Sequence, residues 1–244
     1  MSYLSLYRKY RSQTFAEIVE QAPVIRTLQN AIRFDRIAHA YILAGPRGTG
    51  KTSLARIFAK TVNCLNLDKK NAEPCGICHN CETITHGDNV DVIEIDAASN
   101  NGVENVRDLI YKVSFCPSMG SHKIYIIDEV HMLSSAAFNA LLKTLEEPPA
   151  HIIFILATTD PQKIPVTIRS RCQRLDFSKI TPTAIATHLE AIFKKEKVTM
   201  TPSAILTIAR YSGGHLRDAL SIADQVLAFN DTGKIDVPHV LEVV

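Results

Sequence analysis

The sequence lacks a long apolar run, an excess of either charge, an internal repeat and a low-complexity tract. Its 27 Lys and Arg residues against 25 Asp and Glu residues leave a formal net charge of +2, which argues against holding nucleic acid by bulk charge alone. The longest apolar run, 152–157, suits a buried strand and is too short for a bilayer span. No apolar segment of the kind found in a secretory signal follows the first basic residues. We therefore expect a cytoplasmic protein with no membrane partner and with reduced cysteines.

Short apolar runs alternate with amphipathic stretches as far as residue 177, and 46% of the residues are apolar, enough for a sizeable core. The runs predict strands and the stretches between them have helical spacing. Strands that alternate with helices in this way are typical of an α/β fold with a parallel sheet covered on both faces. The predicted strands are 41–44, 90–95, 124–127, 152–156 and 173–177, and the predicted helices are 24–34, 51–62, 103–113 and 134–145.

The pattern changes after about residue 178, where no strand signal is present. Thr181-Pro182 and Thr201-Pro202 each place an N-cap residue before a proline at the first helical position. Residues 216–229 are again helical, and Pro238 begins a last helix that reaches Val244 without a cap, which suggests a longer protein. We predict a nucleotide-binding domain over 1–178 and a small all-α domain over 179–244.

One glycine-rich loop fits the pattern G-x-x-x-x-G-K-[ST], with a predicted strand before it and a predicted helix after it. Its glycines let backbone N–H groups surround phosphates, and the helix N-terminus adds a positive dipole. Lysine at the seventh position reaches the β- and γ-phosphates, and the hydroxyl at the eighth ligates Mg²⁺. The loop therefore predicts a nucleoside triphosphate site formed by Gly45, Pro46, Arg47, Gly48, Thr49, Gly50, Lys51 and Thr52.

Two carboxylates, Asp128 and Glu129, end the apolar strand 124–127. The carboxyl ends of parallel strands meet at the ligand edge of a sheet, so both side chains are expected beside the phosphate loop. Asp128 can hold Mg²⁺, and Glu129 can act as a general base on the attacking water, which predicts hydrolysis rather than binding alone. Thr159, at the end of the next strand, either orients that water or caps the turn that follows it.

Four cysteines lie close together in one insertion, over residues 64–81, with the pattern C-x10-C-x2-C-x2-C. Thiolates at this density predict a closed tetrahedral zinc site with a structural role. An iron–sulfur cluster is the main alternative, although the downstream cysteine and proline typical of ferredoxins are absent. The zinc ligands are predicted to be Cys64, Cys75, Cys78 and Cys81, with His79 as a less favoured substitute, whereas Cys116 and Cys172 stand apart.

Taken together, these features resemble the ATPase subunits of bacterial clamp loaders, the gamma/tau family of DNA polymerase III, which is of the AAA+ type. The resemblance covers nearly the whole chain. It rests on Ala40-Tyr41 leading into the phosphate loop, on the four-cysteine insertion, and on the segments 93–99, 127–133, 138–149, 157–163, 170–172 and 216–220.

The resemblance implies a P-loop NTPase (AAA+) fold, with a five-stranded parallel sheet, the zinc-binding insertion and a three-helix lid. It also implies roles for three further residues. Thr159 matches the first sensor, and Arg217 matches the second sensor, which contacts the γ-phosphate from the lid. Arg171 matches the arginine finger that acts on ATP bound to a neighbouring subunit. For either arginine taken alone, a surface ion pair is the plainer interpretation.

The segment 7–21 resembles the adenine-binding segment of the family and suggests Arg11 and Val19 as base contacts. It departs from the family at two positions, because Ser12 replaces the usual proline and Glu20 the usual glycine.

The function implied is ATP-driven loading of a sliding clamp onto primer–template DNA within a replicative polymerase complex. ATP and ADP, Mg²⁺ and structural Zn²⁺ are the implied cofactors, and other loader subunits, copies of this chain, the clamp and DNA are the implied partners. A branch-migration motor, a non-hydrolysing structural subunit and a simple nucleotide switch remain the alternatives.

Overall fold

The computed structural model describes residues 3–230 and 233–244, and its first part is built on five parallel strands in the order β2-β3-β4-β1-β5. All five predicted strands are confirmed. They are β1 (Ala40–Ala44), β2 (Val92–Asp96), β3 (Lys123–Asp128), β4 (Ile152–Thr158) and β5 (Gln173–Asp176).

Helices connect these strands and cover both faces of the sheet. The predicted helices are confirmed with small shifts at their ends, whereas α1, α4, α7 and three short 3-10 turns were not predicted. The helices of this part are α1 (Leu6–Lys9), α2 (Ala22–Arg33), α3 (Lys51–Val62), α4 (His79–His86), α5 (Val103–Val113), α6 (Ser135–Glu146) and α7 (Val166–Arg169), and the 3-10 turns are Phe15–Glu17, Val130–Met132 and Pro161–Lys163.

Strand β2 begins two residues later than the sequence pattern predicts. Val90 is 58% exposed and lies before the ladder, while Asp91 is 1% exposed and turns its carboxylate toward a loop. That carboxylate accepts hydrogen bonds from the backbone N–H groups of Ser118, Met119 and Gly120, at 2.8, 2.6 and 2.8 Å. The apolar side chain of Val90 therefore made the predicted strand too long. The polar contacts of Asp91 set the start of β2.

Side chains of the central strands alternate between two cores, one on each face of the sheet. Tyr41 packs edge-to-face on Phe58 of α3 on one side, with 5.2 Å between ring centroids. Tyr125 stacks on Phe154 on the other side, at 5.5 Å. Strands buried on both faces read as continuous apolar runs, which is why the sequence revealed β1, β3 and β4 so clearly.

The second part contains α8 (Pro182–Glu196), α9 (Pro202–Tyr211), α10 (Leu216–Phe229) and α11 (Val237–Leu241). The predicted N-caps are confirmed, since the hydroxyls of Thr181 and Thr201 accept from the N–H groups of Ala184 and Ala204. A two-residue parallel ladder joins β6 (Thr199–Met200) to β7 (Lys234–Ile235), which the sequence pattern did not reveal.

Helix α1 packs with this second part although it precedes the sheet in sequence. Leu6 belongs to the core of α8 to α10, and its backbone N–H donates to Asp224 at 2.9 Å. The predicted division at residue 178 thus leaves α1 on the other side of the boundary from its packing partners. Of the helices within 3–230 and 233–244, none combines the length and apolarity needed to cross a bilayer.

The Asp91 cluster yields a stability prediction with a defined pH dependence. Burial alone would raise the pKa of Asp91, but the three N–H donors outweigh it and lower the pKa. A lowered folded-state pKa stabilises the protein above the unfolded value of about 3.9 and ceases to do so as the pH falls through the folded value. We expect Asp91→Asn to lower the free energy of unfolding by about 2 kcal/mol at pH 7.

Urea unfolding at pH 7 and pH 3 checks this, with Asp88→Asn, at an exposed neighbouring carboxylate, as the control. The difference between wild type and Asp91→Asn should shrink at pH 3. Equal unfolding free energies at pH 7 would contradict the role of the carboxylate.

Candidate nucleotide-binding site

The phosphate loop joins the carboxyl end of β1 to the first turn of α3. Gly45 has φ +150°, and a Cβ there would lie 2.5 Å from the carbonyl oxygen of Phe177, so only glycine fits. Gly48 and Gly50 also have positive φ, at +69° and +100°. The hydroxyl of Thr49 donates to the Pro46 carbonyl at 2.8 Å and braces the loop from within.

Lys51 is only 5% exposed and lies against its own loop. Its Nζ donates to the carbonyl oxygens of Gly45 and Pro46, at 2.8 and 2.7 Å. Burial lowers the pKa of Lys51, while the carboxylates of Glu129 and Asp128 act in the opposite direction. A buried ammonium at the mouth of a glycine loop is well placed for an anionic ligand.

The two predicted Mg²⁺ ligands are in direct contact. Thr52 Oγ1, on the first turn of α3, donates to Asp128 Oδ2 at 2.7 Å. The other oxygen of Asp128 accepts from the N–H of Glu129 at 3.0 Å. A hydroxyl and a carboxylate at this spacing are the hard oxygen ligands that Mg²⁺ prefers, so the residues fit the ion.

Glu129 is the residue at which the chain turns away from β3, with φ +46°. Its Oε2 accepts from both the hydroxyl and the N–H of Thr159, at 3.0 and 3.2 Å. Oε2 also lies 3.3 Å from Nδ1 of His131, which is 3.0 Å from the hydroxyl of Thr158. The structure thus brings the predicted base and first sensor together and adds His131, a contact that the sequence analysis did not single out.

The second part touches the phosphate loop through the start of α10. The N–H of Leu216 donates to the Gly48 carbonyl at 3.0 Å, and His215 Nδ1 lies 2.7 Å from the Arg47 carbonyl. Arg217 is on the first turn of the same helix, and its guanidinium lies over the ring of Tyr7, 5.1 Å from the centroid. The predicted second sensor is therefore beside the loop, held by an aromatic contact that the sequence pattern did not indicate.

The predicted adenine contacts lie on the segment between α1 and α2. Arg11 Nε donates to the hydroxyl of Ser53, next to Thr52, at 3.2 Å. Burial is the main cause that lowers the pKa of Arg11, followed by repulsion from Arg56. Val19 packs against the core of the second part.

The departure at Glu20 has a structural explanation. Glu20 has φ +59°, in the region that favours glycine, and its carboxylate accepts from the N–H and hydroxyl of Thr181, at 3.1 and 2.7 Å. The next residue, Gln21, exchanges two hydrogen bonds with the backbone of Ser178, at 2.8 and 3.1 Å. Glu20 therefore holds Thr181, the N-cap residue of α8, and ties the N-terminal segment to the linker between the two parts. The hydroxyl of the other departure, Ser12, donates to the carbonyl of Glu17 at 3.2 Å.

Arg171 lies apart from the residues around the phosphate loop. It pairs with Glu146 at the end of α6, with 2.6 Å between Nη2 and Oε1, and donates to the Thr167 carbonyl at 2.7 Å. Within the described residues it has no hydrogen bond or ion pair with the phosphate loop of its own chain.

The four predicted cysteine ligands converge on one point. Their Sγ atoms all lie within 4.8 Å of one another, and those of Cys75 and Cys81 are 3.9 Å apart. Tetrahedral zinc with Zn–S bonds of about 2.3 Å requires sulfur atoms about 3.8 Å apart, so the donor set fits the ion. Backbone N–H groups of Cys75 and Cys78 donate to Cys64 and Cys75 sulfur, both at 3.3 Å. Among the described residues this is the only such group of His, Cys, Asp or Glu, and His79 is not part of it.

Two family models match the chain. The one described as DNA polymerase III, delta subunit, matches residues 20–181, and the one for the DNA polymerase III clamp loader subunit, ATPase lid domain, matches residues 184–232. Among solved structures, the Thermotoga maritima RuvB Holliday junction branch migration motor superposes with a TM-score of 0.69 at 20% identity, covering 96% of this chain and 72% of that chain. At that identity the likeness shows the fold alone.

Curated relatives are much more similar in sequence. The chain is 55% identical over 230 residues to the DNA polymerase III subunit tau of Bacillus subtilis and 52% identical over 231 residues to that of Escherichia coli K12. These alignments cover 94% and 95% of this chain but only 40% and 36% of the relatives, so the chain spans about two fifths of their length. On this similarity and both family matches, the chain belongs to the DNA polymerase III clamp-loader subunits of the tau and gamma type.

Proposed function

We propose that this chain is the ATP-hydrolysing part of a clamp loader, which opens a sliding clamp with ATP bound and releases it on primer–template DNA after hydrolysis. The observation that carries the proposal is the meeting of two halves of the site. Thr52 contacts Asp128 at 2.7 Å, and Glu129 contacts Thr159 at 3.0 Å, across the ends of three strands. A module that only binds nucleotide has no use for a general base held beside the metal ligands.

Each residue has a proposed role in the reaction. Backbone N–H groups of the phosphate loop and Lys51 bind the phosphates. Thr52 and Asp128 would hold Mg²⁺, and the ion would neutralise phosphate charge. Glu129 takes the proton of the attacking water, and Thr159 fixes the carboxylate that accepts it. Arg217 is proposed to reach the γ-phosphate from the lid. Arg11 and Val19 are proposed to contact the adenine base.

Arg171 is proposed to serve ATP bound to a neighbouring subunit, because it contacts Glu146 and Thr167 rather than its own phosphate loop. The site is then complete only between subunits, either copies of this chain or other loader subunits. The clamp, primed DNA and a location in the cytoplasm, at the bacterial replisome, follow from the same proposal. Fold alone suits a branch-migration motor equally, but the four-cysteine insertion and the family favour the clamp loader.

The cysteines are proposed to hold one structural zinc ion. Four sulfur donors leave no position for water or substrate, so the ion would close the insertion rather than take part in hydrolysis. An iron–sulfur cluster is the alternative that metal analysis excludes or establishes.

The role of Glu129 predicts a separation of binding from turnover. Glu129→Gln should bind ATP as tightly as wild type, yet hydrolyse it roughly 10²–10⁴-fold more slowly, because the amide cannot accept the proton. Lys51→Ala, the matched comparison, should lose tight binding itself. Calorimetric titration with ATP and phosphate release assays check both, and normal turnover by Glu129→Gln would place the base elsewhere.

The shared site predicts slow hydrolysis by the isolated chain. An assembly of the full-length protein with its partner subunits, clamp and primed DNA should hydrolyse ATP roughly 10³–10⁵-fold faster than the isolated chain. An arginine supplied by a neighbouring subunit contributes an increase of this size. Arg171→Ala in that assembly should remove the increase and leave ATP binding unchanged. Full-rate turnover by dilute monomer, or no response to clamp and DNA, would contradict the proposal.

The cysteine site predicts about one zinc ion per chain, measured by elemental analysis of protein purified without added metal. Cys81→Ser, at a completely buried ligand, should lose zinc and stability, whereas Cys116→Ser, at an exposed thiol, should change neither. Iron in place of zinc, or no metal, would refute the assignment.

A further inference from the structure

The cysteine module, defined here as residues 64–86, binds the N-terminal segment 11–17 through the carboxylate of Glu73. Glu73 lies in the loop between Cys64 and Cys75, and its two oxygens accept from the N–H groups of Phe15 and Ala16, at 2.9 and 3.1 Å. These N–H groups open the 3-10 turn Phe15–Glu17 and have no partner within it. Glu73 therefore supplies the cap that the segment's own Thr14 does not.

A second set of contacts joins the same two units through α3. Lys60 is 3% exposed, and its Nζ donates to Gln13 Oε1 at 2.8 Å and to the hydroxyl of Thr85 at 3.2 Å. Thr85 in turn donates to the carbonyl oxygen of Cys81 at 2.8 Å. A chain of hydrogen bonds thus leads from a cysteine ligand, through helix α4, to the N-terminal segment.

The other end of the segment lies at the nucleotide site. Gln13 Nε2 donates to the carbonyl of Arg11 at 3.0 Å, and the Arg11 side chain donates to Ser53, next to Thr52, at 3.2 Å. Phe15, 1% exposed, inserts into the core beside α3. The segment therefore has a position fixed on one side by the cysteine module and on the other by the helix that begins with Lys51.

Closure of the cysteine cluster sets where the Glu73 carboxylate lies. Glu73 is two residues from Cys75, follows Ala72, which is completely buried with φ +50°, and forms a bridge with Asp68. Metal-binding loops of this size order when the ion binds, and their binding free energy is folding free energy. A loop that opens on metal loss would remove the cap from Phe15 and Ala16.

We propose that the cysteine module positions the adenine-binding side of the nucleotide site. Metal at the cysteines and nucleotide at the phosphate loop then strengthen each other's binding through Glu73 and segment 11–17. This rests on the proposed nucleotide site and gives the metal a regulatory consequence beyond closing the insertion. Glu73 and Gln13 are positioning residues, since they act through Arg11 rather than on the nucleotide.

The test measures the effect of nucleotide on zinc affinity and the effect of zinc on nucleotide affinity. Zinc affinity is measured by competition with a coloured chelator, with and without a non-hydrolysable ATP analogue. Affinity for the analogue is measured by calorimetry with and without zinc. Linkage requires the same factor in both experiments, and we expect roughly tenfold, the effect of one hydrogen bond to a charged group.

Glu73→Gln locates the coupling. Its zinc content should equal that of wild type, while its affinity for the analogue falls roughly tenfold and becomes independent of zinc. Amide hydrogen exchange at Phe15 and Ala16 should quicken, a readout that does not depend on activity. Glu82→Gln is the control, because Glu82 is an exposed carboxylate on the same module that accepts no hydrogen bond from any described residue, and it should match wild type throughout.

Three outcomes separate the possibilities. If the zinc affinity of the wild type is the same with and without the analogue, the inference is overturned. This outcome needs no variant, so it also covers the case in which Glu73→Gln fails to fold. If Glu73→Gln and Gln13→Ala both bind the analogue as tightly as the wild type, the inference is also overturned, but the proposed nucleotide site is unaffected. A wild-type chain that binds no nucleotide sinks the proposed function and this inference together.

Discussion

The hydrogen bond between Thr52 and Asp128 is the contact on which the site depends. Thr52 lies beyond the loop that follows β1, and Asp128 is the last residue of β3; these two strands do not pair because β4 lies between them in the sheet. A parallel register places the carboxyl ends of all three strands at one edge, so the hydroxyl and carboxylate meet above the end of β4. Thr159 leaves β4 at that same point and meets Glu129. The sheet order thus brings the residues of the candidate site together.

What the sequence could predict follows from how local each signal is. Strands β1, β3 and β4 are short apolar runs because both of their faces are buried, and the glycine loop is a contiguous motif, so both were visible. Contacts such as Glu20 with Thr181 and Gln21 with Ser178 join residues 161 and 157 positions apart. No periodicity records such a polar pair, and the same holds for Glu73 capping Phe15. Helix α4 escaped notice because its eight residues follow a cysteine loop whose composition indicated metal ligands rather than a helix.

The N-terminal segment connects α3, the cysteine module and the linker to the lid. Residues 11–17 contact α3 and the cysteine module, and Glu20 and Gln21 hold the linker to the lid. Both residues have φ near +60°, which is strained for side chains with a Cβ. Paired hydrogen bonds offset that strain only while the linker stays in place. A movement of the lid that displaced the linker would therefore break these hydrogen bonds and remove one anchor of the segment that carries Arg11.

Two arginines, Arg171 and Arg47 of the phosphate loop, are held by weak, exposed ion pairs. Arg171 and Glu146 have side chains 33% and 48% exposed, and Arg47 and Asp218 have side chains 73% and 31% exposed. Ion pairs at such exposure contribute about 0–1 kcal/mol, since water and salt screen them. Lys51, at 5% exposure, has no such freedom and remains within its loop. Lys51, the proposed phosphate ligand, is therefore fixed in advance, whereas the arginine proposed to act on a neighbour is held loosely enough for a phosphate to draw it away.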